Sequence, residues 1–284
     1  MKVFIDGNIV EGDQAKVSVF DHGLLYGDGV FEGIRAWDGR VFRLDDHLQR
    51  LTYGAKALHL PLPMGIDGLR DIVQRTVDAA AIPEAYIRLV VTRGVGALGI
   101  DIDSCAEPHV FCIVDSLKIF PKEKQLAGIS LRTSSYRRPE SDVLDPRVKS
   151  LNYINNILAR VEAKRSGADE ALLLNRQGHI AEASVANVFV VQEGALRTPP
   201  TSDGALDGMT RRTVIELAHE LGIIVQEASL TRMDLFRATD AFVTGTGAGL
   251  VRVSHLDGEL IGNKSPSSVV LQLLDAYVAR TRAT

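Results

Sequence analysis

Val30-Phe31-Glu32-Gly33-Ile34-Arg35-Ala36-Trp37-Asp38-Gly39-Arg40-Val41-Phe42-Arg43-Leu44 holds two extended runs around one dipeptide. Asp38 and Gly39 both tolerate positive φ, which makes the pair a strong hairpin signal. Residues 30–37 and 40–44 are the predicted strands. Directly after them the period changes. Residues 45–60 place Leu48, Leu51, Ala55 and Leu58 on one helical face and stop before Pro61. Residues 67–80 read as a second helix. Upstream, residues 2–6 form a short strand that turns at Gly7-Asn8, and strands return at 85–93 and 109–115.

The second half repeats the mixture. Strands are predicted at 129–134, 170–175, 187–192, 241–244 and 250–254. Helices are predicted at 152–166, ending at Gly167, at 210–221 and at 267–280. Gly222 suits the left-handed position that closes a helix. Strands, then helices, then strands, twice over, is the pattern of an α+β protein with largely antiparallel sheets. A chain of 284 residues exceeds the usual ~100–200 of one domain. We expect a smaller domain over 1–120, a polar, proline-bearing linker over 121–126, and a larger domain over 127–284 that carries Lys149.

Composition narrows the function. Hydrophobic residues make up 45% and charged residues 24%, as in an ordinary globular enzyme. A net charge of −4 argues against a nucleic-acid partner. Cys105 and Cys112 are too few for a disulfide framework, so a reducing compartment fits. The N-terminus lacks a signal-peptide pattern, and no apolar run reaches the ~18 residues of a membrane span. The expected compartment is the cytoplasm, and no metal site is expected.

Gly94-Val95-Gly96-Ala97-Leu98-Gly99 follows a predicted strand and fits the G-x-G-x-x-G spacing of a nicotinamide-dinucleotide site. That site needs a helix to open at the last glycine. Here the chain runs on through Ile100-Asp101-Ile102-Asp103-Ser104 to Pro108 with no helical period. A loop joining two strands is the better reading, and an NAD-dependent oxidoreductase is the alternative from another class.

Lys149 stands in Asp145-Pro146-Arg147-Val148-Lys149-Ser150-Leu151-Asn152-Tyr153. A lysine is nucleophilic only when its amine is partly neutral, and desolvation or a nearby cation such as Arg147 promotes that state. On spacing alone it is one lysine among many.

Resemblance singles it out. Tyr26-Gly27-Asp28-Gly29-Val30-Phe31-Glu32-Gly33-Ile34-Arg35 resembles the N-terminal signature of branched-chain aminotransferases, of the two-domain class IV (D-alanine aminotransferase-like) pyridoxal-phosphate fold. Lys149-Ser150-Leu151-Asn152-Tyr153 resembles that family's Schiff-base lysine segment. His179-Ile180-Ala181-Glu182-Ala183-Ser184-Val185-Ala186-Asn187-Val188-Phe189 resembles its most diagnostic motif. Leu206-Asp207-Gly208-Met209-Thr210-Arg211 and Gly245-Thr246-Gly247-Ala248 are similar to its phosphate-side loops. The matches keep family order across residues 2–262.

The resemblance implies roles. Lys149 anchors pyridoxal 5′-phosphate and moves the proton at the reacting carbon. Glu182 partners the ring nitrogen. Tyr153, read as one helical turn past Lys149, hydrogen-bonds the phenolic oxygen. Arg50 forks onto the phosphate, helped by Gly208, Met209 and Thr210 at a helix N-terminus and by Thr246. Leu206 packs on the ring. Strand parity puts Phe31, Gly33 and Arg35 on one face and Glu32, Ile34 and Ala36 on the other. The family match turns the first set toward substrate. Tyr26 and Phe31 then form an apolar pocket, Arg35 and Arg88 accept the γ-carboxylate of glutamate, and Gly247 and Ala248 bind the α-carboxylate.

The implied reaction moves an amino group between leucine, isoleucine or valine and 2-oxoglutarate. The alternatives within the fold are a D-amino-acid transaminase and an aminodeoxychorismate lyase. The resemblance also implies a homo-oligomer, a dimer at least and possibly a hexamer. One departure stands out. After Thr246 the family usually continues Ala-Ala-Glu and then a proline. Here Gly249 replaces the glutamate and Arg252 the proline.

Overall fold

Alternation along the first strands decides what the N-terminal half buries. In the computed structural model, which describes residues 1–116 and 122–282, contacts divide the chain into two units. One is Met1–Leu117 with Val148–Asn152; the other is Lys118–Arg147 with Tyr153–Thr284. The expected domain boundary lies beside this division, but Lys149 was expected in the C-terminal domain and its segment groups with the first unit. Within the expected linker, Pro121 falls outside the described residues, and residues 122–126 are helical.

The first unit runs β1 (Lys2–Ile5), β2 (Asn8–Glu11), α1 (His22–Tyr26), β3 (Gly29–Trp37), β4 (Arg40–Val41), α2 (Leu44–Ala57), α3 (Gly65–Ala80), β5 (Glu84–Thr92) and β6 (His109–Asp115). Its sheet has the order β2-β1-β6-β5-β3-β4, with every neighbour antiparallel. Asp38 and Gly39 turn the β3–β4 hairpin at φ of 49° and 81°. The second strand of that hairpin is shorter than expected, because Arg43 adopts a left-handed φ of 53° and α2 starts at Leu44.

One face of the sheet presents Val30, Ile34 and Ala36 of β3, Ile87 and Leu89 of β5, and Cys112 and Val114 of β6. Leu48, Leu51 and Ala55 of α2 and Leu69, Ile72 and Val73 of α3 cover it. Burying one such leucine contributes about 1.5–3 kcal/mol, which is why the helices hold to this face. The opposite face carries Phe31, Arg35, Tyr86 and Arg88.

The glycine-rich segment after β5 closes a hairpin between two neighbouring antiparallel strands, as the sequence suggested. Gly94 has φ of +92°, and a Cβ there would lie 1.9 Å from the Glu107 carbonyl oxygen. No helix opens at Gly99; a single 3-10 turn comes next, at Ile102–Ser104. The dinucleotide reading is therefore set aside. Arg93 pairs with Asp28 at 2.8 Å and donates to the Leu58 and His59 carbonyls just beyond α2.

The second unit runs α4 (Lys122–Ala127), β7 (Ile129–Arg137), α5 (Ser141–Leu144), α6 (Ile154–Arg165), β8 (Glu170–Leu174), β9 (Ile180–Ala183), β10 (Asn187–Gln192), β11 (Ala195–Thr198), α7 (Met209–Glu220), β12 (Val225–Glu227), α8 (Arg232–Phe236), β13 (Asp240–Gly245), β14 (Gly249–Leu256), β15 (Glu259–Leu260) and α9 (Ser268–Arg282). Its sheet has the order β12-β11-β10-β13-β14-β7-β8-β9, with β15 on β14. Three neighbouring pairs, β11–β12, β14–β7 and β7–β8, are parallel, and the rest are antiparallel. Both faces are covered, so the central strands read as unbroken apolar runs. Val188 and Val190 of β10 enter one core, with Leu172 and Val243. Phe189 and Val191 enter the other, under Leu217 of α7 and Leu273 of α9. Phe189 and Phe242 stack there at 5.0 Å.

Candidate active site

The lysine segment is an added piece of sheet. The Phe31 N–H donates to the Lys149 carbonyl and the Leu151 N–H to the Gly29 carbonyl, both at 3.0 Å, with Val30 bridged to Ser150 between them. Residues 149–151 thus lie along β3. A Cβ on Gly29 would meet the Val91 carbonyl oxygen at 2.6 Å and Leu151 Cδ1 at 2.7 Å, and the backbone contact makes glycine the residue required there. Asn152 Nδ2 ties the segment to the carbonyl of Gly27, which ends α1 at φ of 70°. This extended course corrects one expectation. Tyr153 is not a helical turn beyond Lys149, because α6 begins only at Ile154 with Tyr153 as its N-cap.

Lys149 Nζ lies 4.4 Å from the centre of the Phe31 ring, and the Arg88 guanidinium carbon lies 4.4 Å from it as well. The ring is 5% exposed. Cations hold near aromatic faces by attraction to the ring quadrupole. Arg88 Nη2 donates to the Tyr86 hydroxyl at 3.2 Å. That hydroxyl sits above Gly33, where a Cβ would fall 2.3 Å from it. Sequence reading missed Tyr86; its signal was the β5 alternation that also selects Arg88. Arg35 lies over Trp37 at 5.3 Å. Tyr26, expected in the pocket, accepts the Gly99 N–H at 2.7 Å and packs edge-on against His22.

Arg50 belongs to a buried cluster on the core side of β3. Its Nε donates to Glu32 Oε1 at 2.8 Å and its Nη2 to Oε2 at 2.7 Å. His47 Nδ1 lies 2.7 Å from the same Oε2. Glu32 has no solvent exposure. Burial acts to raise its carboxyl group, but Arg50 and then His47 outweigh it and bring it from an ordinary 4.5 to about 2. Burial pushes the His47 imidazole down, against the opposing pull of Glu32. The fork expected on a phosphate is thus engaged through its Nε–Nη2 edge. Neither Glu32 nor His47 stands out in the sequence as a site residue, although strand parity places Glu32 among core residues.

In the second unit Glu182 sits in β9, 5% exposed. Its Oε2 accepts the Leu206 N–H at 3.0 Å and Asn187 Nδ2 at 3.4 Å. Arg138 Nη2 lies 2.9 Å from its Oε1. Asn187 Nδ2 also donates to the Leu206 carbonyl at 2.8 Å. These bonds bring Glu182 and Leu206 together, with Leu206 half-buried. Gly208 is the N-cap of α7, with no side chain capping it. A Cβ there would lie 2.1 Å from Asn187 Oδ1. Met209 and Thr210 open α7 with buried side chains, so their offer to an anion is backbone N–H and dipole. Asp207, which would repel an anion there, is held by Arg212 at 2.8 Å.

Thr246, Gly247 and Ala248 form the turn between β13 and β14, closed by the Ala248 N–H on the Gly245 carbonyl at 3.1 Å. Gly249 comes next with φ of +67°, a conformation a glutamate would resist. Arg252 has become a buried clamp. Its Nε donates to Asp240 Oδ1 at 2.8 Å, and its Nη groups reach the carbonyls of Asn263 and Lys264. Both departures thus have structural explanations. Among the described residues no group of side chains is arranged to hold a metal ion.

Known proteins share this framework. The family described as Amino-transferase class IV matches residues 29–256. A Methanocaldococcus jannaschii protein provisionally named a branched-chain-amino-acid aminotransferase is 47% identical, covering 98% of this chain and 95% of that protein. The branched-chain-amino-acid aminotransferase of Pseudomonas aeruginosa is 35% identical, covering 97% of this chain and 91% of its own. The branched-chain amino acid aminotransferase of the organism abbreviated T.th., crystallised with pyridoxamine 5′-phosphate, superposes with a TM-score of 0.93 at 34% identity, covering 99% of this chain and 93% of that one. Its complex with N-(5′-phosphopyridoxyl)-L-glutamate gives 0.91 at 34% identity, with the same coverage. The chain therefore belongs to the class IV aminotransferases, pyridoxal-phosphate-dependent enzymes, and within them to the branched-chain group.

Proposed function

We propose that this enzyme exchanges the amino group of leucine, isoleucine or valine with 2-oxoglutarate, using Lys149 as its covalent anchor and proton carrier. The observation that carries the reading is the placement of Lys149. Its backbone is fixed along β3 and its amine rests on the Phe31 ring.

The donor set fits pyridoxal phosphate. Lys149 supplies an amine for the aldehyde, and a buried, multiply held carboxylate suits a protonated ring nitrogen. A helix N-terminus suits the phosphate. When bound, the cofactor supplies an electron sink for the charge left at the substrate α-carbon. Lys149 Nζ takes the proton from the substrate α-carbon and returns it to the carbon on the far side of the amino nitrogen. Glu182 holds the ring nitrogen in its protonated form, with Leu206 against the ring and Tyr153 on its phenolic oxygen. Gly208, Met209, Thr210 and Thr246 serve the phosphate, and the Arg50 guanidinium adds its charge.

On the substrate side, an aliphatic chain lies along Phe31 and Tyr26. An acidic chain reaches past them to Arg88 and Arg35, so one pocket takes both donors. Gly247 and Ala248 offer backbone N–H groups to the α-carboxylate. The neighbour bound to phosphopyridoxyl-glutamate supports glutamate as one partner.

We also infer a homo-oligomer, at least a dimer. Val19, Phe20, Leu24, Val95, Leu98 and Ile100 are all exposed in the first unit, and Asp21 bridges to Val95 between the two stretches that carry them. Apolar exposure on this scale marks an interaction surface. Sedimentation of the purified protein tests this directly. Cys105 and Cys112 are unpaired, and burial pushes the Cys112 thiol up to about 12. A reducing cytoplasm is the compartment we infer.

The test of the main reading is Lys149→Ala. It removes the visible absorption of the bound cofactor and all transamination. A donor panel of L-leucine, D-alanine and L-glutamate should show amino transfer from the two L-amino acids only. Transfer from D-alanine in preference to L-leucine would refute the substrate assignment.

A further inference from the structure

Arg50–Glu32 and Arg138–Glu182 are both buried arginine–carboxylate pairs, and they are built differently. Arg50 grips Glu32 side-on, through Nε and Nη2 on both carboxylate oxygens. Arg138 meets Glu182 end-on, with Nη2 on Oε1 alone. The rest of its guanidinium is spent elsewhere. Nε donates to the Gly204 carbonyl at 3.1 Å and Nη1 to Asn156 Oδ1 at 2.9 Å. Asn156 is fixed in turn, donating to the Ser184 carbonyl at 2.6 Å. The Arg138 backbone N–H donates to the Leu174 carbonyl at 3.0 Å.

We propose that Arg138 is the positioning residue for Glu182, setting the carboxylate's orientation and balancing its charge so that it meets the cofactor ring nitrogen as a fixed anion. This rests on the reading of Glu182 as the ring-nitrogen partner. A carboxylate this buried is costly to keep ionised without a cation beside it. Arg138 is 9% exposed and supplies that cation. Three separate acceptors pin its guanidinium, so it cannot swing away when the ring arrives. Two neutral donors, the Leu206 N–H and the Asn187 amide, reach Oε2. The carboxylate is thus gripped by charge on one oxygen and by dipoles on the other. Arg138 touches no reacting atom in this scheme and acts only through Glu182.

The experiment compares the apoprotein's affinity for two ligands. One is pyridoxal phosphate; the other is the analogue with C–H in place of the ring nitrogen. The pairing of Glu182 with the ring nitrogen should give wild type a preference for pyridoxal phosphate of about 10-fold or more, the scale of one charge-assisted hydrogen bond. Arg138→Met should weaken pyridoxal phosphate by about 10-fold and the analogue by no more than about 2-fold. Arg138→Lys restores the cation without the other contacts and should keep most of the preference. Adding Glu182→Gln to Arg138→Met should remove nothing further.

Equal weakening of both ligands in the methionine and lysine variants would reduce Arg138 to a structural tie and overturn the proposal. A preference lost in Glu182→Gln but kept in Arg138→Met overturns the Arg138 assignment alone. A preference that survives Glu182→Gln overturns the ring-nitrogen reading, and the Arg138 assignment falls with it.

Discussion

Glu32→Gln is the perturbation whose size can be worked from the structure. The glutamine keeps the shape of the side chain and removes its charge, as protonation would. Folding draws the Glu32 carboxyl group from 4.5 to about 2. At about 1.4 kcal/mol for each tenfold change in proton affinity, that is worth about 3 kcal/mol of stability. The general cost of breaking a buried ion pair, about 3–5 kcal/mol, agrees. The sign comes from the lowered value. The stabilisation is fully present above pH 4.5 and is lost as pH falls toward about 2. Trp37 is the only tryptophan and lies in β3, so its fluorescence reports the unit that holds Glu32. Urea unfolding followed at Trp37 should show the variant about 3 kcal/mol less stable at about pH 7.5, with the gap narrowing once the pH is below about 4. The variant's cofactor dissociation constant should also rise, by roughly 10-fold, because Arg50 loses its brace. A gap under about 1 kcal/mol at about pH 7.5, or one that stays constant down to about pH 3, would refute this account of the cluster.

Single contacts set three further outcomes. Gly33→Ala drives a methyl group into the Tyr86 hydroxyl that holds Arg88; the KM for 2-oxoglutarate should rise at least about 5-fold and that for leucine less, measured by steady-state kinetics. Arg252→Met leaves Asp240 buried without its cation, and chemical denaturation should register a loss of about 3–5 kcal/mol. Gly249→Glu restores the residue usual in the family at a φ of +67°; it should cost about 1–2 kcal/mol in thermal or urea unfolding instead of improving the enzyme.

Much of the fold was legible because its signals are local. Asp38-Gly39 announced the hairpin, and the leucines of α2 announced the helix and its buried face. Gly222 closed α7 at a φ of +70°, as its position suggested. The short elements were not legible. The helix over His22–Tyr26 depends on an Asp21 cap and a left-handed Gly27, with no apolar period to display. The strand β9 spans only four residues, too few for an alternation to show.

At the candidate site, the side chains proposed to face a ligand are easier to find in the sequence than those that hold them. Arg50 is visible through its motif. Glu32 is brought to Arg50 and to His47 by pairing across 18 and 15 residues, which no local rule connects. Glu182 is visible and Arg138 is not, for the same reason. A helical period suggests itself for Tyr153 because a helix starts so close to it; backbone pairing of 149–151 with β3 overrides that period.

The membership of Val148–Asn152 in the first unit has a consequence for modular engineering. The polypeptide passes between the units three times, and the later two passages bracket Lys149. A one-junction chimera that swaps everything beyond residue 117 also swaps the pentapeptide that completes the donor's sheet. To graft a new substrate face while keeping the native lysine, a designer must cut at three places and carry residues 148–152 along with the first unit.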